Sequence, residues 1–375
     1  MILRLARRKT DGPEAREEPR RTGRNASAFP LALRSFFSPF RPVRLYTVLV
    51  AAACAGNDGR TIVTVYSPHD KDLLGYYETE FEKANSDIDI QWLDIGSQDI
   101  LDRLRAEASN PQADVWFGAP SEAFDRAARE NLLEPYAPTW AGAVGPEARD
   151  SAGNWFGTYL TPEVIGYNSA VISEAEAPKD WDDVLDPKWR GRILIRDPVA
   201  SGTMRAIFGG IITRSVRQSG SPDAGYDWLR RLDAQTKEYT LNPAMLYQKL
   251  ERQEGDLTLW DMPDMAMLQS RGTLRYVIPA SGTPLIVDGI AIVRGSDNAA
   301  AAKKYYEFVT TPDALVAAAQ RFYRIPARRD IPGAQLPEWI RDAREKIVPM
   351  PVDQSKLDEW MTYWDSNIRN SGRRR

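Results

Sequence analysis

The segment Ser201-Gly202-Thr203 has residue types that suit the binding of a small anion. It follows Asp197-Pro198, which ends a predicted strand, and it opens a run with helical periodicity. Backbone N–H groups at a helix start are free to donate, the helix dipole favours negative charge there, and Gly202 lets a ligand approach the backbone. The hydroxyl groups of Ser201 and Thr203 add hydrogen-bonding capacity. An ordinary serine cap has the same pattern, so both interpretations stay open.

Trp260-Asp261 is a second place where polar chemistry follows a predicted strand. An indole face beside a carboxylate can accept a ring or an amine through stacking or cation–π contact. A packing tryptophan followed by a turn aspartate has the same pattern, and the sequence does not separate the two.

Several kinds of catalytic and metal chemistry are excluded by what the chain lacks. It has one Cys, Cys54, and one His, His69, so neither a disulfide framework nor a poly-histidine zinc site can form. The sequence contains no GxSxG, HExxH, GxGxxG or GxxxxGK[ST] motif. We therefore expect a protein that is not an enzyme and needs no cofactor or resident metal.

Charge is distributed unequally between the two ends of the chain. Residues 1–53 hold 11 of the 49 Lys and Arg but only 4 of the 52 Asp and Glu, which leaves 38 basic and 48 acidic residues for 54–375. An acidic body disfavours nonspecific nucleic-acid binding, which depends on neutralising phosphates. No nucleic-acid partner is expected.

The basic N-terminal region resembles an export signal. An apolar run, Leu45–Ala53, follows two arginines and is too short to span a bilayer but long enough for a signal peptide. Small residues before Cys54 resemble a bacterial lipobox, in which that cysteine is lipidated, whereas a plain signal peptide with an incidental Cys is the alternative. We expect 1–42 to be a disordered leader or an over-extended gene start, 43–53 the signal region and 54–60 a tether.

The body alternates strand and helix patterns. Thr61–Tyr66 is β-branched and predicts a strand, and Asp70–Ala84 has apolar residues at helical spacing. Similar pairs recur along the chain, ending in the helical pattern Leu357–Trp364. Repeated βα units predict an α/β fold whose sheets are mostly parallel.

Four segments carry a resemblance to a known family: VTVYSPHDKDLL (63–74), ADVWFGAP (113–120), WDDVLDPKWRGRILIRDPVASGT (181–203) and GTPLIVDGIAIVRGSDNAAAAKKYYEFV (282–309). Over about residues 61–330 the chain resembles the periplasmic solute-binding proteins of bacterial ABC importers. The resemblance is to the branch that contains ferric-iron, sugar-phosphate, aminophosphonate and thiamine binders.

The resemblance implies a two-lobed, type II periplasmic-binding fold with the ligand held between the lobes. Lobe one would hold 61–158 and 289–375, and lobe two would hold 163–283. Residues 159–162 and 284–288 would be the two hinge strands, and lobe closure would exclude water around the solute.

Within that architecture, lobe one would present a site that faces the Ser201 segment. Ser67 and His69 lie between the first strand and helix, and Ser97 follows the next strand. We therefore predict that Ser67, His69, Ser97, Ser201, Gly202, Thr203, Trp260 and Asp261 contact the solute. His69 could instead be a purely structural histidine.

The iron ligands of that branch are mostly absent here. The resemblance places a Glu ligand at Ala119 and a tandem Tyr pair at Pro263-Asp264, and only His69 lies near an expected ligand position. Hard ferric iron favours anionic oxygen donors, so iron held by carboxylates such as Asp261 and Asp264 remains an alternative.

The favoured function is that of an extracytoplasmic receptor, periplasmic or membrane-tethered, that captures a small anionic solute. The implied partners are the solute and the ABC permease subunits in the inner membrane, and the implied state is monomeric. A ligand-sensing subunit of a membrane signalling system is a further alternative.

Overall fold

The computed structural model describes residues 59–371, which lie within one compact unit, 56–375. The leader, the signal region and Cys54 lie outside the described residues. The helices are α1 Lys71–Ala84, α2 Ser97–Ala106, α3 Ser121–Arg129, α4 Gly202–Ser219, α5 Asp223–Gln235, α6 Pro243–Glu251, α7 Met262–Arg271, α8 Ala299–Val309, α9 Pro312–Phe322, α10 Glu338–Lys346 and α11 Leu357–Asn367. The strands are β1 Thr61–Ser67, β2 Ile88–Asp94, β3 Val115–Pro120, β4 Leu133–Glu134, β5 Phe156–Asn168, β6 Ile193–Arg196, β7 Thr236–Thr240, β8 Leu257–Asp261, β9 Leu274–Val277, β10 Thr283–Val293, β11 Ile325–Pro326 and β12 Pro349–Met350.

The main strands follow one path, in the order β2-β1-β3-β10-β5-β8-β6-β7. At one end β1 pairs in parallel with β2 and β3, and at the other end β6 pairs in parallel with β7 and β8. We call β1, β2 and β3 the first strand set, and β6, β7 and β8 the second strand set. Helices α1 and α2 connect the strands of the first set, α4 to α6 connect those of the second set, and the predicted α/β fold is confirmed.

The two strand sets are joined by β5 and β10. The first part of β5 pairs antiparallel with β10, through partners that include Leu285 with Pro162 and Asp288 with Tyr159. From Glu163 onward, β5 pairs instead with β8 and β9. The residues predicted as hinge strands are therefore cross-strand neighbours at the point where β5 passes from one set to the other.

The C-terminal helix packs with the second strand set, whereas the sequence analysis grouped 289–375 with the first. Trp360, Met361 and Trp364 are buried in the core cluster that also holds Trp181 and Phe208. Helical spacing identifies which face of α11 is buried, but it does not identify the partner of that face. Among the described residues no helix has the length and apolar character needed to cross a membrane.

Five strands were not predicted: β7, β9 and the two-residue strands β4, β11 and β12. β7 has the sequence TKEYT, which is polar because the strand lies at the end of the sheet path, and β9 has only four residues. Helix α2 begins at Ser97, directly after Gly96. Helix α4 begins at Gly202 with Ser201 as its cap, close to the predicted start.

Candidate functional site

A cleft lies at the carboxyl ends of β1, β2 and β3 on one side and of β6 and β8 on the other. Ligands of open α/β sheets bind at such edges. The cleft has an empty volume of about 720 Å3, part of which is open to solvent. Seven of the eight predicted contact residues line it: His69, Ser97, Ser201, Gly202, Thr203, Trp260 and Asp261.

Ser67 is the predicted residue that the structure places elsewhere. Its side chain is 0% exposed, and its Oγ accepts a hydrogen bond from the backbone N of His69 at 3.1 Å. As the last residue of β1, it faces the interior and supports the turn that carries His69. Its contribution to the cleft is thus indirect.

Two helix N-termini meet in the cleft. Helix α4 begins at Gly202, and the amide groups of Gly202 and Thr203 have no hydrogen-bond acceptor among the described residues. Helix α2 begins at Ser97 behind Gly96, which offers no side-chain cap. A Cβ added to Gly202 would lie only 3.5 Å from Oγ of Ser97, so these N-termini are neighbours. Their dipoles together favour an anion between them.

Arg196 adds a cation at this end of the cleft and was not predicted from the sequence. It ends β6, lines the cleft and is 5% exposed, yet its guanidinium has no hydrogen bond or ion pair with any described residue. Burial lowers its pKa, while Tyr247 and the carboxylates of Asp99 and Asp197 act in the opposite direction. Burying a cation without a partner destabilises the folded protein unless a bound ligand supplies the opposite charge. The sequence feature that could have identified Arg196 is a charged residue at the carboxyl end of an apolar strand.

The opposite end of the cleft is acidic and is organised around Arg324, which the sequence analysis also missed. Arg324 is 5% exposed, and its Nη2 lies 3.1 Å from both Asp70 and Asp264. Burial alone would lower the pKa of Arg324, but the surrounding carboxylates raise it above its usual value. Asp70 caps α1 and Asp264 lies in the first turn of α7, so one guanidinium connects elements next to both strand sets.

Two further carboxyl groups in this region face the cleft. Oδ1 of Asp261 accepts from the backbone N of Asp264 at 2.9 Å, and Oδ2 of Asp288 accepts from Oγ1 of Thr161 at 2.5 Å. Burial raises the pKa of Asp288 to about 6, against the hydrogen bond from Thr161 and the charge of Arg324. Burial and Asp264 raise the pKa of Asp261 well above its usual value.

Glu163 lies behind these groups and was not predicted as functional. It is 0% exposed, and neither carboxyl oxygen has a hydrogen-bond partner among the described residues. It is the cross-strand partner of Asp261 in the β5–β8 pair. Burial raises the pKa of Glu163 well above its usual value, and Asp261 and Asp288 add to the effect.

His69 and Trp260 line the cleft but are held mainly by packing. The His69 ring lies edge-on to Phe117 at 4.8 Å, and its Nε2 is enclosed without a partner in the described part of the chain. Burial lowers the pKa of His69 well below its usual value, and Arg324 adds to this, so the ring is neutral. Trp260 donates from Nε1 to the Tyr247 hydroxyl at 2.8 Å, which uses its polar edge internally.

The geometry does not favour a carboxylate-bound metal. Within residues 59–371, no group of three or more His, Cys, Asp or Glu side chains is arranged to hold a metal ion. Ala119, at the expected glutamate position, lines the cleft with a φ of 94°, a backbone conformation that favours glycine. Both carboxylate oxygens of Asp264 are engaged, by Arg324 and by the Tyr247 hydroxyl.

Two parallel strand sets that face each other across a cleft, joined by two antiparallel strands, are typical of two-lobed ligand-binding folds. The chain belongs to the family described as bacterial extracellular solute-binding proteins, whose model matches residues 110–344. It is a solute-binding component of a bacterial ABC importer.

Individual relatives have different ligands in their names. The chain is 27% identical over 338 residues to a protein of Sinorhizobium fredii that is provisionally named an ABC transporter periplasmic-binding protein, covering 86% of this chain and 91% of the relative. It is 26% identical over 333 residues to a Salmonella typhimurium protein provisionally named for 2-aminoethylphosphonate, covering 84% and 90%. The structure of AfuA from Actinobacillus pleuropneumoniae with fructose-6-phosphate matches with a TM-score of 0.70 and 22% identity, covering 82% of this chain and 99% of that one. Other matches are named for ferric iron.

Proposed function

We propose that this importer component captures a small solute that carries a phosphate, phosphonate or carboxylate group. The observation that carries the proposal is the buried guanidinium of Arg196, which has no partner among the described residues and lies in the same cleft as the N-terminus of α4. An oxyanion there would accept hydrogen bonds from the guanidinium and from the amides of Gly202 and Thr203. Ser97 and Ser201 would complete its coordination.

Capture would occur by closure of two lobes about β5 and β10. We assign 61–158 and β10 beyond 288 to lobe one, and 163–283 together with α11 to lobe two. Helices α3 and α4 belong to opposite lobes in this assignment. They already contact each other through an ion pair, in which Nη2 of Arg205 lies 3.1 Å from Oε1 of Glu122. Closure excludes water and thereby strengthens the charge interactions with the solute.

The names of two matched proteins support the choice of solute class. 2-Aminoethylphosphonate and fructose-6-phosphate differ in their carbon skeletons but share a phosphorus oxyanion. The most economical account is that this chain also recognises such a group, with the remainder of the cleft selecting the rest of the molecule.

Calorimetric titration of the purified protein tests the proposal. The panel is 2-aminoethylphosphonate and fructose 6-phosphate, with ethanolamine, fructose and ferric citrate for comparison. We expect binding of a phosphorylated or phosphonylated member and none of ethanolamine or fructose. Binding confined to fructose would refute the proposed solute class, and binding confined to ferric citrate would favour an iron-chelate binder instead.

Arg196→Gln tests the observation on which the proposal rests. Loss of charge-assisted hydrogen bonds removes about 1.5–3 kcal/mol, so we expect the Kd of the bound oxyanion to rise at least tenfold. The ligand-free variant should melt no lower than wild type, because an uncompensated buried charge has been removed. Arg190→Gln, on an exposed arginine that does not line the cleft, is the matched control. An unchanged Kd in the Arg196 variant would remove this residue from the site.

We also propose that the export signal is functional and that Cys54 is lipidated after cleavage. Support comes from the apolar run 45–53 and the small residues before the cysteine. Mass spectrometry of the membrane fraction should find an acylated peptide that begins at Cys54. A mature protein that retains residues before Cys54 would contradict lipidation.

A further inference from the structure

We propose that Asp261 and Asp288, backed by Glu163, form a subsite for an ammonium group of the solute, and that this group enters the cleft in exchange for a proton. The inference rests on the proposed function, because it describes the other end of the same solute. It makes the preferred ligand a zwitterion, with its anionic group at Arg196 and its cationic group at Asp261.

The acidic end of the cleft has more carboxyl groups than its arginine can satisfy. Arg324 contacts Asp70 and Asp264, and the second oxygen of Asp264 accepts from Tyr247. Asp261 and Asp288 each use one oxygen internally, as described above. Oδ2 of Asp261 and Oδ1 of Asp288 have no hydrogen-bond partner in the described part of the chain, and both residues line the cleft.

Glu163 gives independent support for a cation-binding subsite here. Its carboxyl group is fully enclosed, has no partner within residues 59–371 and lies directly across the β5–β8 pair from Asp261. An ionised carboxylate in that position would be strongly destabilising. Burial raises the pKa of Glu163 and of Asp261 well above their usual values, which favours a protonated carboxyl group on each of them when the cleft lacks a cation.

The other described titratable groups around this subsite do not supply a free cation. Asp94, at the end of β2, has its pKa raised by burial and by Asp70 and Asp264. His69 is neutral, and Tyr247 has its pKa raised by burial and by the neighbouring aspartates. Among the described residues that line the cleft, the cations are Arg324, already engaged, and Arg196, which lies at the anionic end.

An ammonium group fits this arrangement better than a metal ion. It has three donors that can reach separate single oxygens, whereas a hard cation requires several converging oxygen ligands. No such converging group exists in the part of the chain that the structure describes. When the ammonium binds, the Asp261 carboxyl O–H ionises, its proton passes to solvent, and the resulting carboxylate accepts the N–H group.

Asp261→Asn is the sharpest variant for this proposal. Asparagine keeps the oxygen that caps α7, so the helix start is preserved while the titratable group is lost. Titrations with 2-aminoethylphosphonate and with ethylphosphonate, which lacks the amine, are run in two buffers of different ionisation enthalpy. The buffers contain no primary amine, phosphate or phosphonate.

We expect wild-type protein to bind 2-aminoethylphosphonate at least tenfold more tightly than ethylphosphonate. In Asp261→Asn this preference should disappear, and about one proton fewer should be released per solute bound. Because each solute's own ionisation is the same in every titration, the difference between variants measures the protein. Asp227→Asn, an exposed site on α5, is the control and should match wild type.

The outcomes separate the two proposals. Equal wild-type affinity for the two phosphonates, or a variant that keeps both the preference and the proton release, overturns the ammonium subsite and leaves the proposed function intact. Binding of neither phosphonate overturns the subsite, and it overturns the proposed function as well if fructose 6-phosphate is also not bound.

Discussion

Several buried ionisable residues lie in or beside this cleft, and Glu163 is the extreme case. It has neither solvent nor a hydrogen-bond partner among the described residues, although it lies in the strand that joins the two strand sets. A residue chosen only for stability at this position would be apolar. The carboxyl group is best explained by its effect on the titration of Asp261, which it faces across β5 and β8.

Glu163→Gln should change the pH dependence of stability. Burial raises the folded-state pKa of Glu163 well above its ordinary value, so the folded protein binds this proton more tightly than the unfolded chain does. The associated stability is present at low pH and is lost as pH rises toward the folded-state pKa, with a slope of at most about 1.4 kcal/mol per pH unit.

Urea unfolding of ligand-free protein between pH 5 and pH 8 provides the measurement. We expect the free energy of unfolding to fall less steeply with pH in Glu163→Gln than in wild type. Glu345→Gln, on an exposed residue of α10, should keep the wild-type slope. Identical slopes in all three proteins would show that Glu163 is not held protonated.

Among the elements, the start of α4 is the one whose position matters most. Its first residue, Gly202, lies so close to β3 that an added Cβ would be 2.6 Å from Cγ of Pro120. The absence of a side chain thus lets the N-terminus of α4 approach the first strand set. This contact is separate from any role of Gly202 in admitting a ligand to the backbone.

Gly202→Ala should weaken solute binding by holding the two strand sets apart. The proline ring cannot move aside easily, and overpacking of this kind typically costs about 1–3 kcal/mol, which corresponds to roughly 5- to 160-fold in Kd. Gly75→Ala is a matched helical control, because a Cβ there meets nothing within 4 Å. Calorimetry should show weaker binding only for the first variant, and equal binding by both would contradict a role for this contact in closure.

How far the sequence could predict the site depends on the range of the contacts involved. The Ser201 cap and the Asp261 cap are local, so strand and helix patterns placed both at the cleft. Arg324 reaches Asp70 across 254 sequence positions and Asp264 across 60, and local periodicity has no access to such pairs. Arg196 was overlooked because a strand of four residues, all buried, gives no alternation that would single out its charged end.

At the scale of the whole molecule, the C-terminal segment departs most from the lobe assignment that the sequence predicted. After α10, the chain forms β12 beside Thr283 and Pro284 of β10, and then α11 packs on α4 in the core of the second strand set. Gln354, between them, donates to Oγ of Ser121 at 3.3 Å. The chain therefore passes between the two strand sets once more, alongside β5 and β10.

Trp364→Ala tests whether α11 is an integral part of the second strand set. Trp364 is fully buried, with its ring centroid 5.6 Å from that of Phe208 and 5.4 Å from that of Tyr239. Replacing a buried tryptophan by alanine removes its contacts and leaves a cavity, which typically costs about 3–5 kcal/mol. We expect a loss of that size in the free energy of urea unfolding, although the residue lies beyond the family match that ends at 344.

Trp339→Ala is the matched control, because Trp339 is only partly buried and should cost much less. The comparison distinguishes a helix that belongs to the core from one that merely covers it, since only the former leaves a cavity against Phe208. If Trp364→Ala lost no more stability than Trp339→Ala, α11 would be an appendage, and its assignment to lobe two would have to be withdrawn. A large loss would instead mean that lobe two is completed only by the last helix of the chain.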